Sequence, residues 1–481
     1  MTMRLVAGVD SSTQACKVSV RDAATGQTIR TGRAAHPAGT IVAPEMWWDA
    51  LALAIGRAGG LADVEAISVS GQQHSPVFLD RTGGVVCPSP LWNDMGSHPH
   101  MVDLNRELGR QVWIRRTGLP ITISDTVTKL RWLRDLHPEA ARDVAAVAIV
   151  HDWLTWRLMG FGSQRGDFDR LVTDRSEASG TGYWSGSTES YCMDLFELAL
   201  GKTARVPDVL GPLEVAGVTA AVLPGLPTGI PIGVGSGDNA AAALALGVGF
   251  GEGVLSLGTS GVVYAKTPRP VADYAGYVCS YADASGLHLP LVATLNAARN
   301  FDLGADLLGC SHAEFAELAL QAAPGAGGLT LLPYFEGERT PDLPSAVAAL
   351  EGATGVNFTR PNLARAVIEG TLVSQVAMID ALTACDVHID QLLLIGGAAH
   401  NPAVQQSLRQ IVPIPVLVPD DDEYVAKGAA MQAVAALDSE FPTWPTARTQ
   451  LEPLRSQPHI IDQYRIAQAM HGYDRGSGRD G

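Results

Sequence analysis

An α/β fold in two related domains is what this sequence predicts, on three observations. The chain has 481 residues, more than one hydrophobic core comfortably serves, so at least two domains are expected. Short apolar strands alternate with segments of helical periodicity, the pattern of α/β architectures. A strand–polar turn–strand pattern also occurs twice, once at the N-terminus and once just past the middle.

The first copy puts strands at residues 5–10 and 17–20 around Ser11-Ser12-Thr13-Gln14, where β-branched residues favour strands and the polar centre favours a turn. The second runs through Val254-Leu-Ser-Leu257, Gly258-Thr-Ser-Gly261 and Val262-Val-Tyr-Ala265. Glycines crowd at 247–251, which places the junction there and the domains at 1–246 and 247–437. Residues 64–70 read as a strand leading into Gly71-Gln72-Gln73-His74, and 125–136 as a helix with Val127, Leu130 and Leu133 on one face. Thr359 and Pro361 mark the start of a long helix reaching about Thr383, with Leu363, Ala366, Val367 and Gly370 spaced for a buried face. Residues 392–395 form a buried strand running into Gly396-Gly397. Prolines at 442, 445 and 453 and a Gly- and Arg-bearing tail mark 438–481 as a C-terminal extension, partly flexible and frayed at its end.

A hydrophobic content of 46% and a charged content of 17% describe a globular protein. The net charge of −16 argues against nucleic acid as a partner, because phosphate backbones are held by Lys and Arg. No run reaches the roughly 18 apolar residues of a membrane span, and MTMRLVAGVD lacks the apolar core of a signal peptide. A cytoplasmic protein with neither nucleic-acid nor membrane partners is expected. The six cysteines have no C-x-x-C pair and read as reduced thiols packed as small hydrophobes.

The chemistry concentrates at 235–261. Asp238 sits between glycines and an Ala/Leu run, where an acidic residue either caps a helix or presents a base at its start. A carboxylate there suits deprotonation of an alcohol during phosphoryl transfer, which otherwise rests on positioning and electrostatics. The helix N-terminus is expected to lower its pKa and keep it ionised. Asn239 can donate to a sugar hydroxyl. Gly258, Thr259 and Ser260 can wrap a phosphate in backbone N–H groups and a hydroxyl. Asp10 ends a strand beside Ser12 and Thr13, placed to hold Mg²⁺ while the turn meets phosphate; the alternative is a turn residue bonded to its own backbone. Gln73, His74, Trp92, Asn93 and Asp94 follow apolar segments and combine amides, an imidazole and an aromatic face able to recognise a polyol.

Familiar nucleotide signals fail. Gly201-Lys202-Thr203 resembles the end of a P-loop, but Phe196 stands where its first glycine belongs. Gly233-x-Gly235 lacks the third glycine of a dinucleotide fingerprint, since that position is Asp238. Protein-kinase HRD and DFG runs and a spaced His/Cys zinc set are absent.

From Val6 to about Leu437 the residues resemble the FGGY carbohydrate kinases, a branch of the actin-like ATPases. Asp10-Ser-Ser-Thr-Gln with Lys17 is similar to that family's first phosphate hairpin, Leu257-Gly-Thr-Ser-Gly261 to its second, and Leu394-Ile-Gly-Gly397 to its adenosine strand. Two diagnostic stretches are also recognisable: Ser124, Thr126, Lys129-Leu, Trp132-Leu and Asp135; then Ala348, Leu350, Gly352, Asn362-Leu and Ala366-Val-Ile-Glu369. The resemblance implies two actin-like (ribonuclease H-like) domains with the active site in the cleft between them, and ATP and Mg²⁺ as cofactors. It implies phosphate contacts from Asp10, Ser12, Thr13, Lys17, Gly258, Thr259 and Ser260, and adenosine contacts from Gly396, Gly397, Ala398 and Asn401. Asp10 and Asp238 are the candidate metal carboxylates, and Asp238 is the implied general base. Gly71-Gln-Gln-His74, Leu91-Trp-Asn-Asp94, Gly237-Asp-Asn239 and Gly337-Glu-Arg-Thr-Pro341 look most like the members acting on the 5-hydroxyl of D-xylulose. Ser75 and Gly96 depart from that pattern, where glycine and arginine are usual, and are expected to narrow and loosen the sugar pocket respectively. Another ketose or polyol, such as ribulose, and a catalytically inactive sensor are the alternatives. Members of this family often form homodimers; the sequence marks no interface for one.

Overall fold

The computed structural model describes residues 3–473 and is organised around two seven-stranded sheets of the same design. In the first, Leu5–Ser11, Ala15–Asp22 and Thr28–Ala35 form an antiparallel meander, and Leu5–Ser11 pairs in parallel with Val64–Gly71 on its other side. In the second, Gly251–Leu257, Gly261–Ala265 and His288–Thr294 form the meander, and Gly251–Leu257 pairs in parallel with Ile389–Ile395. The repeat visible in sequence as two hairpins therefore extends to four strands in each sheet. Each parallel step needs a crossover, supplied by the helices Glu45–Arg57 and Arg360–Thr383. Thr359 caps the latter by accepting from Asn362 N, with Pro361 in its first turn, as the sequence indicates.

Each sheet carries its own apolar core, and a third cluster joins them, with Phe78, Leu130 and Phe196 packed alongside Val254, Tyr264, Leu393 and Ile395. The helix Asp238–Leu246 ends at a left-handed Gly247, and the second sheet begins at Gly251. The helix Tyr424–Asp438 returns from the second sheet to lie against Leu5–Ser11 and Asp238–Leu246. Only small residues permit that approach: a Cβ at Gly8 would stand 1.9 Å from Ala426 O, and one at Gly428 would stand 2.1 Å from Ala241 O.

Residues beyond 437 are more than an appendage. Arg448–Gln450 adds a strand to the second sheet, and Ile460, Tyr464 and Ala467 of the helix His459–Met470 enter its core. Trp444 packs on the first half and donates from Nε1 to Ala23 O at 3.1 Å. The end expected to fray, 474–481, lies outside the described residues. Gly201 ends the helix Met193–Leu200 and Lys202 donates to the carbonyls of Arg142 and Val144, a structural use for the apparent P-loop fragment. The six cysteines are free.

Candidate active site

The first hairpin delivers Asp10 from the end of its strand. The residue is buried, Ser12 Oγ donates to its Oδ1 at 2.9 Å, and Lys17 Nζ lies 3.7 Å from its Oδ2. Lys17 also pairs with Glu423 at 2.5 Å, so the loop before the helix Tyr424–Asp438 braces the hairpin. Burial pushes the Asp10 carboxyl up to about 6, against the opposing pull of Lys17.

Asp238 is the first residue of its helix; Gly237 holds the cap position. Asn239 N and Nδ2 donate to its Oδ1 at 2.7 and 2.9 Å. The expectation that the helix N-terminus lowers this carboxyl is corrected here. Burial, then the nearby Asp10 charge, push it up to about 7, outweighing the backbone donors. Asp10 raises Asp238, and with no group of three or more metal-binding side chains among the described residues, such a pair could hold a divalent cation only with substrate phosphates completing its shell.

Gln73 packs against Gly237, the residue before Asp238, and His74 follows it in the chain. A Cβ on Gly237 would lie 2.6 Å from Gln73 Cδ, which fixes how closely the two segments meet. Gln73 Nε2 donates to Ser176 O at 3.1 Å, and His74 Nδ1 lies 2.7 Å from Gly180 O. Trp92 joins its loop to the first hairpin through Nε1 donating to Thr13 Oγ1 at 2.9 Å. Asn93 is exposed beside it. Asp94 is buried with both carboxylate oxygens in use, accepting from Thr40 Oγ1 at 2.7 Å and Gly96 N at 2.8 Å. Ser75 is fully buried and accepts from Trp92 N at 3.1 Å, so it sets the loop rather than narrowing a pocket.

The second hairpin turns through Gly258-Thr259-Ser260 with Thr259 exposed, closed by Gly258 N donating to Ser260 O at 3.2 Å. Gly396 and Gly397 are exposed at the end of the adjacent parallel strand, and Ala398 is buried behind them. Asn401 caps the helix Pro402–Ile411 by accepting from Ala403 N and Val404 N, which commits its carbonyl oxygen to the backbone.

Several residues near these groups are not singled out in the sequence, Arg339 appearing there only within a family stretch. Lys129, noted only within a family stretch, is fully buried, donates to Asp94 O and Ser97 Oγ at 3.1 and 2.8 Å, and is pushed down to about 8 by burial. The second half contributes Tyr281, whose ring centroid is 5.9 Å from that of His74, and Arg339, whose Nη2 reaches Cys279 Sγ at 3.7 Å. Behind Asp238 lies a buried group of His151, Asp152, Asp174 and Glu177. His151 Nδ1 is 2.6 Å from Asp152 and Nε2 is 3.4 Å from Asp174. Burial drives the Glu177 carboxyl well up, and its oxygens have no hydrogen-bond partner. Apart from the neighbours His151 and Asp152, the partners named here are distant in the chain, so no local pattern marks them.

Residues 5–245 match the model of the FGGY family of carbohydrate kinases, N-terminal domain, and residues 253–437 match that of its C-terminal domain. The chain is 42% identical to the xylulose kinase of Streptomyces coelicolor, over 91% of this chain and 89% of that protein. It is 41% identical to the xylulose kinase of Streptomyces rubiginosus, over 98% of each. Its structure resembles that of xylulose kinase from Bifidobacterium adolescentis with a TM-score of 0.90 at 40% identity, covering 97% of this chain and 100% of that one.

Proposed function

The chain belongs to the FGGY family of carbohydrate kinases, with their two-domain actin-like fold, and from that premise we propose that it transfers the γ-phosphoryl group of ATP to the 5-hydroxyl of D-xylulose. The carrying observation is the meeting of a carboxylate pushed up by burial, Asp238, with the Asp10 hairpin on one side and with Gln73, packed against Gly237, on the other. Full-length similarity to xylulose kinases supports the choice of sugar.

In this reading Gln73, His74, Trp92, Asn93, Asp94 and Asn239 orient the ketose, several of them through the loop they stiffen. Asp238 accepts the 5-hydroxyl proton as the oxygen attacks phosphorus; a carboxylate near pKa 7 is well matched to that transfer. The two hairpins hold the triphosphate, with Ser12, Thr13 and Lys17 from one and Gly258, Thr259 and Ser260 from the other. Gly396, Gly397 and Ala398 receive the adenosine, and Asn401 holds the following helix in place. Asp10, with Asp238 beside it, would hold Mg²⁺, which neutralises phosphate charge when bound. ADP formation measured across a panel of ketoses and polyols tests the assignment. D-xylulose is expected to give the highest kcat/KM; a higher value for ribulose or another polyol reassigns the sugar. Asp238→Ala is expected to lower kcat by about 10²–10⁴ with ATP binding retained. Near-wild-type turnover in that variant would remove the base assignment.

A further inference from the structure

The five-residue helix Arg175–Ser179 is too short to carry a site, yet the sugar-side residues and the base converge on it. Ser176 is 1% exposed. Its hydroxyl oxygen accepts from Gly237 N at 3.0 Å, one residue before Asp238, and its carbonyl accepts from Gln73 Nε2 at 3.1 Å. Asp174 caps the helix, accepting from Ser176 N at 2.7 Å, and also faces His151. His151 presses on the same junction from the other side, since a Cβ on Gly235 would be 2.7 Å from its Cδ2. Ser179 Oγ donates to Ser176 O at 2.8 Å and accepts from Ala282 N of the second sheet at 2.9 Å.

We propose that Ser176 is a positioning residue for phosphoryl transfer: its hydroxyl fixes the Gly237–Asp238 junction while its carbonyl fixes Gln73. One residue thereby sets the separation between the group that holds the sugar and the group that takes its proton. The Gly237 N–H is the last backbone donor before the base. Without its Ser176 acceptor, the backbone leading into Asp238 loses that side-chain anchor. A misplacement of order 1 Å in a reacting group costs about 100-fold in rate.

This rests on Asp238 being the base, and the test separates the two claims. Ser176→Ala and Ser176→Cys, the second nearly isosteric but a poor acceptor, are assayed in the full chain with D-xylulose and ATP beside Asp238→Asn. In both Ser176 variants kcat is expected to fall about 10- to 100-fold while KM for each substrate stays within about threefold, because the bond from Gln73 goes to a backbone carbonyl that survives. A folded variant with kcat within about twofold of wild type, or one whose loss appears only in KM, would overturn the proposal. So would failure of both variants to fold, which would make Ser176 a purely structural residue. Wild-type turnover in Asp238→Asn would instead remove the base, whatever the Ser176 variants do.

Discussion

The two hairpins share a strand pattern and differ in almost everything attached to it. The first buries an acid, Asp10, ties its turn to the Trp92 loop through Thr13, and is braced from across the molecule by Glu423 pairing with Lys17. The second has no acid in its turn, leaves Thr259 exposed, and closes on its own backbone. One fold unit used twice has thus been specialised into a charged, braced corner beside the Trp92 loop and a bare corner beside the glycine-ended strand.

That contrast makes graded predictions. Asp10→Asn attacks the charged corner and is expected to lower kcat by about 10²–10³, with loss of the Mg²⁺ dependence of turnover. An unchanged Mg²⁺ titration would place the cation elsewhere. Thr259→Ala removes one hydroxyl from the bare corner and is expected to raise KM for ATP about tenfold while leaving KM for the sugar near wild type. Equal effects on both substrates would erase the distinction between the hairpins.

Smaller effects follow from the carboxyl pair. The Asp238 carboxyl rises from its unfolded value of 3.8 to about 7 in the folded protein, so its ionisation opposes folding. The penalty is absent below pH 3.8, grows as pH rises towards 7, and is constant above. Asp238→Asn is therefore expected to stabilise the unliganded protein at pH 8 by about 1–2 kcal/mol, after allowance for partial exposure, and to leave it unchanged near pH 4. Thermal melts at the two pH values check this; equal shifts at both would contradict the raised pKa. Thr13→Val cuts the tie from the first hairpin to Trp92 and is expected to raise KM for the sugar about two- to fivefold, with KM for ATP hardly moved.

Much of this molecule is legible locally. The strand at Leu5–Ser11 and the helix Arg360–Thr383 follow from β-branched and apolar spacing, and the polar turn between paired strands marks each hairpin. The C-terminal region was less legible. Its prolines read as an extension, while Arg448–Gln450 completes a sheet whose other strands are far back in the chain. Asp94 reads as a ligand residue by type and Asn401 by family resemblance; the structure commits both oxygens of Asp94, one to the distant Thr40, and the carbonyl of Asn401 to hydrogen bonds within the protein.

By itself the sequence determined the repeated hairpin, the helix beginning at Asp238, and the polar residues that follow the central strands, because each is written in short-range periodicity and residue type. Tertiary structure decided the raised pKa of Asp238, the bracing of Lys17 by Glu423, and the hydrogen bonds of Ser176 to Gln73 and Gly237. The reason is physical: desolvation and hydrogen-bond partnership depend on what the fold packs around a group. For Asp238 those surroundings include Asp10, and for Lys17 they include Glu423, both from distant parts of the chain.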